Sequence, residues 1–161
     1  MPTLTYGTNL GYFARLMAVA MVAIVGAGIC LALSPEEEDA RSFSMEAAAP
    51  YIKKGYKLRA EQWSGEIKSG EETPVKFQLF KGNDYWFWAG SSDEKSVVKV
   101  NVYDTDGKSV ASRRIKRKKG MGGVRVVPPK TGTYVAVVTI ESKTAKASDR
   151  KVGWALAYGY R

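Results

Sequence analysis

Histidine is absent from all 161 residues, and cysteine occurs once, at Cys30. These two shortages remove the usual zinc ligands and the usual general base from the folded part of the chain. They also leave it without a disulfide, so its core must hold unaided. Uncharged runs of membrane length are scarce as well. The one such run covers residues 16–33, with Arg15 as the single basic side chain before it and the acidic PEEED of residues 35–39 directly after. Basic, apolar and acidic in that order predicts a cytoplasmic N-terminus and an exported remainder. Eighteen helical residues would span about 27 Å against a hydrocarbon layer of about 30 Å. Residues 1–34 therefore read equally well as a cleaved signal peptide or as a single transmembrane anchor. Small residues suited to cleavage stand at Gly26 and Gly28, or at Cys30 and Ala32, and lipid attachment at Cys30 is disfavoured by Ile29 just before it.

What remains is about 120 to 125 residues, enough for one modest core and no second domain. Residues 35–55 read as a linker with room for a short helix interrupted by Pro50, and residues 56–161 as the folded domain. Its most informative stretch is KGNDYWFWAG at 81–90, because four successive aromatic residues must face both sides of any strand they form. Gly82-Asn83-Asp84 is a turn, and residues 75–80 before it alternate, so the two segments predict a β-hairpin. Trp86 and Trp88 share a face, either covered by core or, as the functional alternative, free to stack on a ligand.

Residues 96–104 alternate with Val98, Val100 and Val102 inward. Asp104-Thr105-Asp106-Gly107 turns the chain, residues 108–114 return it, and 124–127 form a short strand ended by Pro128-Pro129. Residues 134–140 are apolar on both faces. In residues 151–160, Val152, Trp154, Leu156, Tyr158 and Tyr160 share one side, while small Gly153, Ala155, Ala157 and Gly159 share the other. About eight short strands without a long helix predict an all-β, antiparallel, jelly-roll-like sandwich behind an N-terminal apolar helix. A membrane-spanning barrel needs longer strands with polar lumen positions throughout, and the two-faced apolar strands argue against it.

The order KGNDYWFWAG, VKVNVYDTDGK, PPKTGTYVAVV and WALAY resembles the bacterial pre-peptidase C-terminal domain over about half the chain. That resemblance implies a non-catalytic β-sandwich accessory module that binds polymeric substrates or assists secretion. Here no peptidase domain precedes it.

Arg113, Arg114, Lys116, Arg117, Lys118 and Lys119 form the densest charge run, closed by Gly120-Met121-Gly122-Gly123. One reading is electrostatic capture of an anionic glycan or lipid headgroup; the other is a solvated hairpin tip. The formal charge is +9 for the whole chain. Nucleic acid is set aside as a partner because the domain is exported. Asp104 and Asp106 are weak calcium candidates. The spacing fails an EF-hand, since Val102 and Arg113 occupy positions that need carboxylates, and Asp-Gly is an ordinary hairpin turn. Ser92 to Lys95, Lys130-Thr131-Gly132 and Ser148-Asp149-Arg150 echo a serine acyl-transfer set only out of order and on turns. A carboxylate-only hydrolase survives the absence of histidine, but Glu61, Glu66, Asp84, Asp93 and Asp104 offer no pairing that sequence can place. The expectation is a non-enzymatic exported binding or envelope-structural module, needing no cofactor, whose partner is an envelope or extracellular polymer or another exported protein.

Overall fold

The computed structural model describes residues 33–116 and 118–161. The expected signal or anchor segment therefore lies, up to Ala32, outside the described residues, as do Cys30 and Arg117. Among the described residues no helix is long and apolar enough to cross a membrane.

The size alternation at the end of the sequence makes β9 (Lys151–Tyr160) the axis of the larger sheet. It pairs on one side with β4 (Tyr85–Ser91), setting Tyr85 opposite Tyr160 and Trp88 opposite Ala157. On the other side it pairs with β1 (Lys57–Leu58) and β2 (Trp63–Lys68), which form one interrupted edge. Beyond β4 come β7 (Met121–Val126) and then β6 (Ala111–Arg114). The smaller sheet runs β3 (Glu72–Leu79), β8 (Gly132–Glu141), β5 (Val97–Tyr103). All of these pairings are antiparallel, and the two sheets pack as a sandwich.

Rings from both layers fill the middle. Phe77 of β3 meets Phe87 of β4 edge-on at 4.9 Å between centroids, and Phe87 stacks on Tyr158 of β9 at 5.6 Å. Valines 98, 100, 102, 124, 126 and 138 close the rest. Edge-on and offset ring pairs each add about 0.5–1.5 kcal/mol beyond the area they bury.

The large face of β9 supplies that core, and its small face receives a helix. Residues 35–55, expected as a linker, contain an 18-residue helix, α1 (Pro35–Ile52), laid across β4 and β9. Its start follows from the sequence: Ser34 accepts the Glu37 N–H at 3.2 Å, Pro35 opens the first turn, and Glu36, Glu37 and Glu38 favour the positive end of the helix dipole. Its buried stripe is Ala40, Ser44, Ala47 and Ala48, too small to register as an amphipathic period. That same smallness lets backbone meet backbone. A methyl group built on Gly90 would collide with Ala40 O and Ser44 N, and one on Gly153 with Glu36 O. Pro50 lies in the last turn, and the helix continues past it to Ile52.

Two further expectations change. Residues 75–80 and 85–90 do not form a hairpin, because β3 and β4 belong to different sheets. The turn at Gly82, with φ +94°, reverses the chain while carrying it across the core, where Phe77 and Phe87 gain more by facing each other than by sharing an edge. Within the polar segment 142–149 there is a six-residue helix, α2 (Lys143–Ser148), capped by Ser142 and ended by Asp149 in a left-handed conformation.

Candidate functional site

At one long edge of the sandwich, β5 of the smaller sheet faces the β6–β7 hairpin of the larger one. Hydrogen bonds cross the gap along its length. Gly120 N donates to Ser96 O at 3.1 Å, Val110 N to Val102 O at 2.9 Å, and the Arg114 Nη1 to Val100 O at 2.6 Å. Between them runs a groove of about 710 Å³. Its floor is apolar, made by Val98, Val100, Ile115 and Met121 with the backbone of Gly122 and Gly123. Glycine is required at 122, since a Cβ there would lie 2.5 Å from Val98 O.

The rim is cationic. Lys95, Lys99, Arg114, Lys118, Lys119 and Lys143 line the groove, and among the described residues no carboxylate does. Lys118 pairs with Glu46 at 2.9 Å, and Lys99 pairs with Glu141. Both are exposed contacts of the kind worth under about 1 kcal/mol. The Arg114 guanidinium is held by Val100 O and the Asn101 Oδ1. Among the described residues no carboxylate pairs with Lys95, Lys119 or Lys143. Ser96, another lining residue, is buried with its hydroxyl unpartnered. Cations crowded over an apolar floor raise the local potential and attract an anion.

The charge run is divided, Arg113 from Arg114 by strand alternation and the rest by the turn that follows. Arg114, Lys118 and Lys119 reach the groove, whereas Arg113 and Lys116 are exposed elsewhere, Arg113 lying close enough to Tyr51 of α1 to act on its hydroxyl. Arg117 falls outside the described residues. Lys95, Lys99 and Lys143 were missed by sequence reasoning. They come from the β4–β5 loop, β5 and α2, and only Lys99 gave a signal, as an outward residue of an alternating strand.

Trp86 and Trp88 do not form an exposed platform. They are 3% and 0% exposed because α1 covers their face, with the Tyr51 ring 4.2 Å from Trp86 and 5.8 Å from Trp88. The Asp104 Oδ1 accepts the N–H groups of Asp106 and Lys108, which accounts for it as a turn-former. Asp106 is exposed on the same turn, and no group of three metal-binding side chains gathers there among the described residues.

The other carboxylates are also structural. Asp84 accepts both Arg125 Nε and Nη2 at 2.8 Å and the Tyr56 hydroxyl at 2.7 Å, with Arg161 at 3.4 Å. Burial pushes its carboxyl upward, but these partners outweigh it and hold the group below its ordinary value. Burial, followed by Asp84 itself, pushes the Tyr56 hydroxyl up. Asp93 accepts from Ser142 and from Lys95 N, Glu36 accepts from Ser92, and Glu37 accepts from Ser64. In each case a serine and a carboxylate join a helix end to a strand or loop. Glu61 and Glu66 are exposed. Lys130 and Thr131 accept hydrogen bonds from Tyr134 and Lys81, and Asp149 pairs with Lys68, so these residues serve local contacts as well.

No family model matches the chain, and no curated protein matches it. Among solved structures it is similar to PliG of Aeromonas hydrophila, a periplasmic lysozyme inhibitor of g-type lysozyme. The identity is 18%, the TM-score 0.46, and the match covers 67% of this chain and 90% of that one. At that level the likeness carries no argument about function.

Proposed function

We propose that this chain is an exported, non-enzymatic binding module that holds an anionic ligand, a glycan or a lipid headgroup, in the groove between β5 and the β6–β7 hairpin. The observation that carries the reading is the lining: among the described residues, six cationic side chains and no carboxylate around an apolar floor. Three of the six are lysines without a carboxylate partner among the described residues, so they are free to pair with a ligand's oxyanions. Export is supported by the order of charge and hydropathy in residues 1–39. The non-enzymatic part is supported by the absence of histidine, by the structural employment of the carboxylates described above, and by the resemblance to the pre-peptidase C-terminal domain.

The test is retention of the full chain on immobilised heparin, compared with a Lys95→Ser, Lys119→Ser, Lys143→Ser variant. Binding through the groove predicts elution of the variant at clearly lower salt, because each lost contact releases fewer counterions. Identical elution of the two proteins would remove the groove as the site.

A further inference from the structure

We infer that the groove takes an anionic amphiphile, one oxyanion headgroup carrying an alkyl chain, rather than a stretch of linear polyanion. This inference rests on the anionic-ligand reading above and goes beyond it in naming the chemical class. Four of the six lining cations crowd one end of the groove, while Lys99, along β5, is paired with Glu141. The bond from Gly120 N to Ser96 O brings Lys118 and Lys119 beside Lys95. Lys143 arrives at the same end, because Ser142 just before it donates to Asp93, whose other oxygen accepts Lys95 N. Four lysines thus gather where β5 begins. At the far end Arg114 is already engaged by β5. A linear polyanion would be matched by cations spaced along its length, whereas a cluster at one end matches a single compact headgroup.

The rest of the groove suits a hydrocarbon. Val98, Val100, Ile115 and Met121 line it, and Asn101, one of its two neutral polar side chains, already accepts from Arg114. A sugar would find few partners for its hydroxyls there. The volume of about 710 Å³ falls within the roughly 300–1,000 Å³ of small-molecule sites. The other neutral side chain, Ser96, is buried at the lysine end and offers a sugar no more than Asn101 does.

The experiment is calorimetric titration of the full chain with hexyl, octyl and decyl phosphate below their micelle concentrations, beside inorganic phosphate and heparin. The expected result is one site per chain, with affinity rising by up to about fourfold for each methylene that enters the groove. The Lys95→Ser, Lys119→Ser, Lys143→Ser variant should bind decyl phosphate at least about tenfold more weakly. An Ile115→Ser variant should flatten the dependence on chain length. Far-ultraviolet circular dichroism confirms that each variant is folded. Should Ile115→Ser unfold, the chain-length series on the unaltered protein decides alone. Heparin binding with no dependence on alkyl length would overturn the amphiphile and leave the anionic-ligand reading standing. Failure of both heparin and every alkyl phosphate to bind would overturn the two together.

Discussion

The larger sheet has a closed face and an open edge, built from opposite kinds of residue. Under α1, the strands offer Gly90, Gly153, Ala155, Ala157 and Gly159, the helix offers Ala40, Ser44, Ala47 and Ala48, and the layers come together until no methyl group can be added at Gly90 or Gly153. Beside β7 the hairpin offers lysine and arginine, the approach to β5 stops at a few hydrogen bonds, and a groove remains. Small side chains produce contact that tolerates nothing. Long charged ones produce space that tolerates exchange. Stability belongs to the first region and recognition to the second, and the two can be broken separately.

Gly90→Val should give the largest effect. Its side chain meets helix backbone rather than a flexible tip, so α1 must lift, at a cost of about 3 kcal/mol or more. Chemical denaturation should show that loss of stability, and a wild-type midpoint would refute the packing. Asp84→Asn comes next. It leaves the Arg125 and Arg161 guanidiniums without their carboxylate, and partial exposure limits the loss to about 2 kcal/mol. The sign of its pH dependence is fixed. The folded value of Asp84 lies below its ordinary 3.8, so its contribution is present above about pH 4 and disappears as pH falls through the folded value. Unfolding curves between neutral pH and pH 2 should therefore converge for the two proteins at the acid end. Arg114→Met, which removes the bonds to Val100 O and Asn101, should cost about 1 kcal/mol in the same assay. Smallest of all, the triple lysine-to-serine variant should stay within about 0.5 kcal/mol of wild type while losing the ligand. A large drop in its stability would collapse the distinction between the two regions.

The closed face was half legible. The alternation of small and large residues along β9 stands in the sequence and identified both faces, but the partner for the small one did not, because an alanine and serine stripe produces no apolar period. The crossing from β3 to β4 was misread for a related reason: Gly82-Asn83-Asp84 specifies a reversal, and the sheet that receives the next strand is decided by where Phe87 finds Phe77. The open edge was legible only as charge. Residues 113–119 announce a basic hairpin, yet alternation sends Arg113 and Arg114 to different sides, and Lys95, Lys99 and Lys143 reach the groove through tertiary folding alone.

Strand β9 follows all of its partners in the chain. Lys57 pairs with Tyr160, roughly a hundred positions later, and β4 and α1 also rest on β9. Contacts this distant make assembly slow, since a long loop must close before any of them forms. The sheet therefore cannot zip up behind a growing polypeptide as successive hairpins would. Until residues 151–160 emerge, β1 and β2 have no strand to pair with, and a chain threaded through a narrow channel would carry them to the far side unpaired.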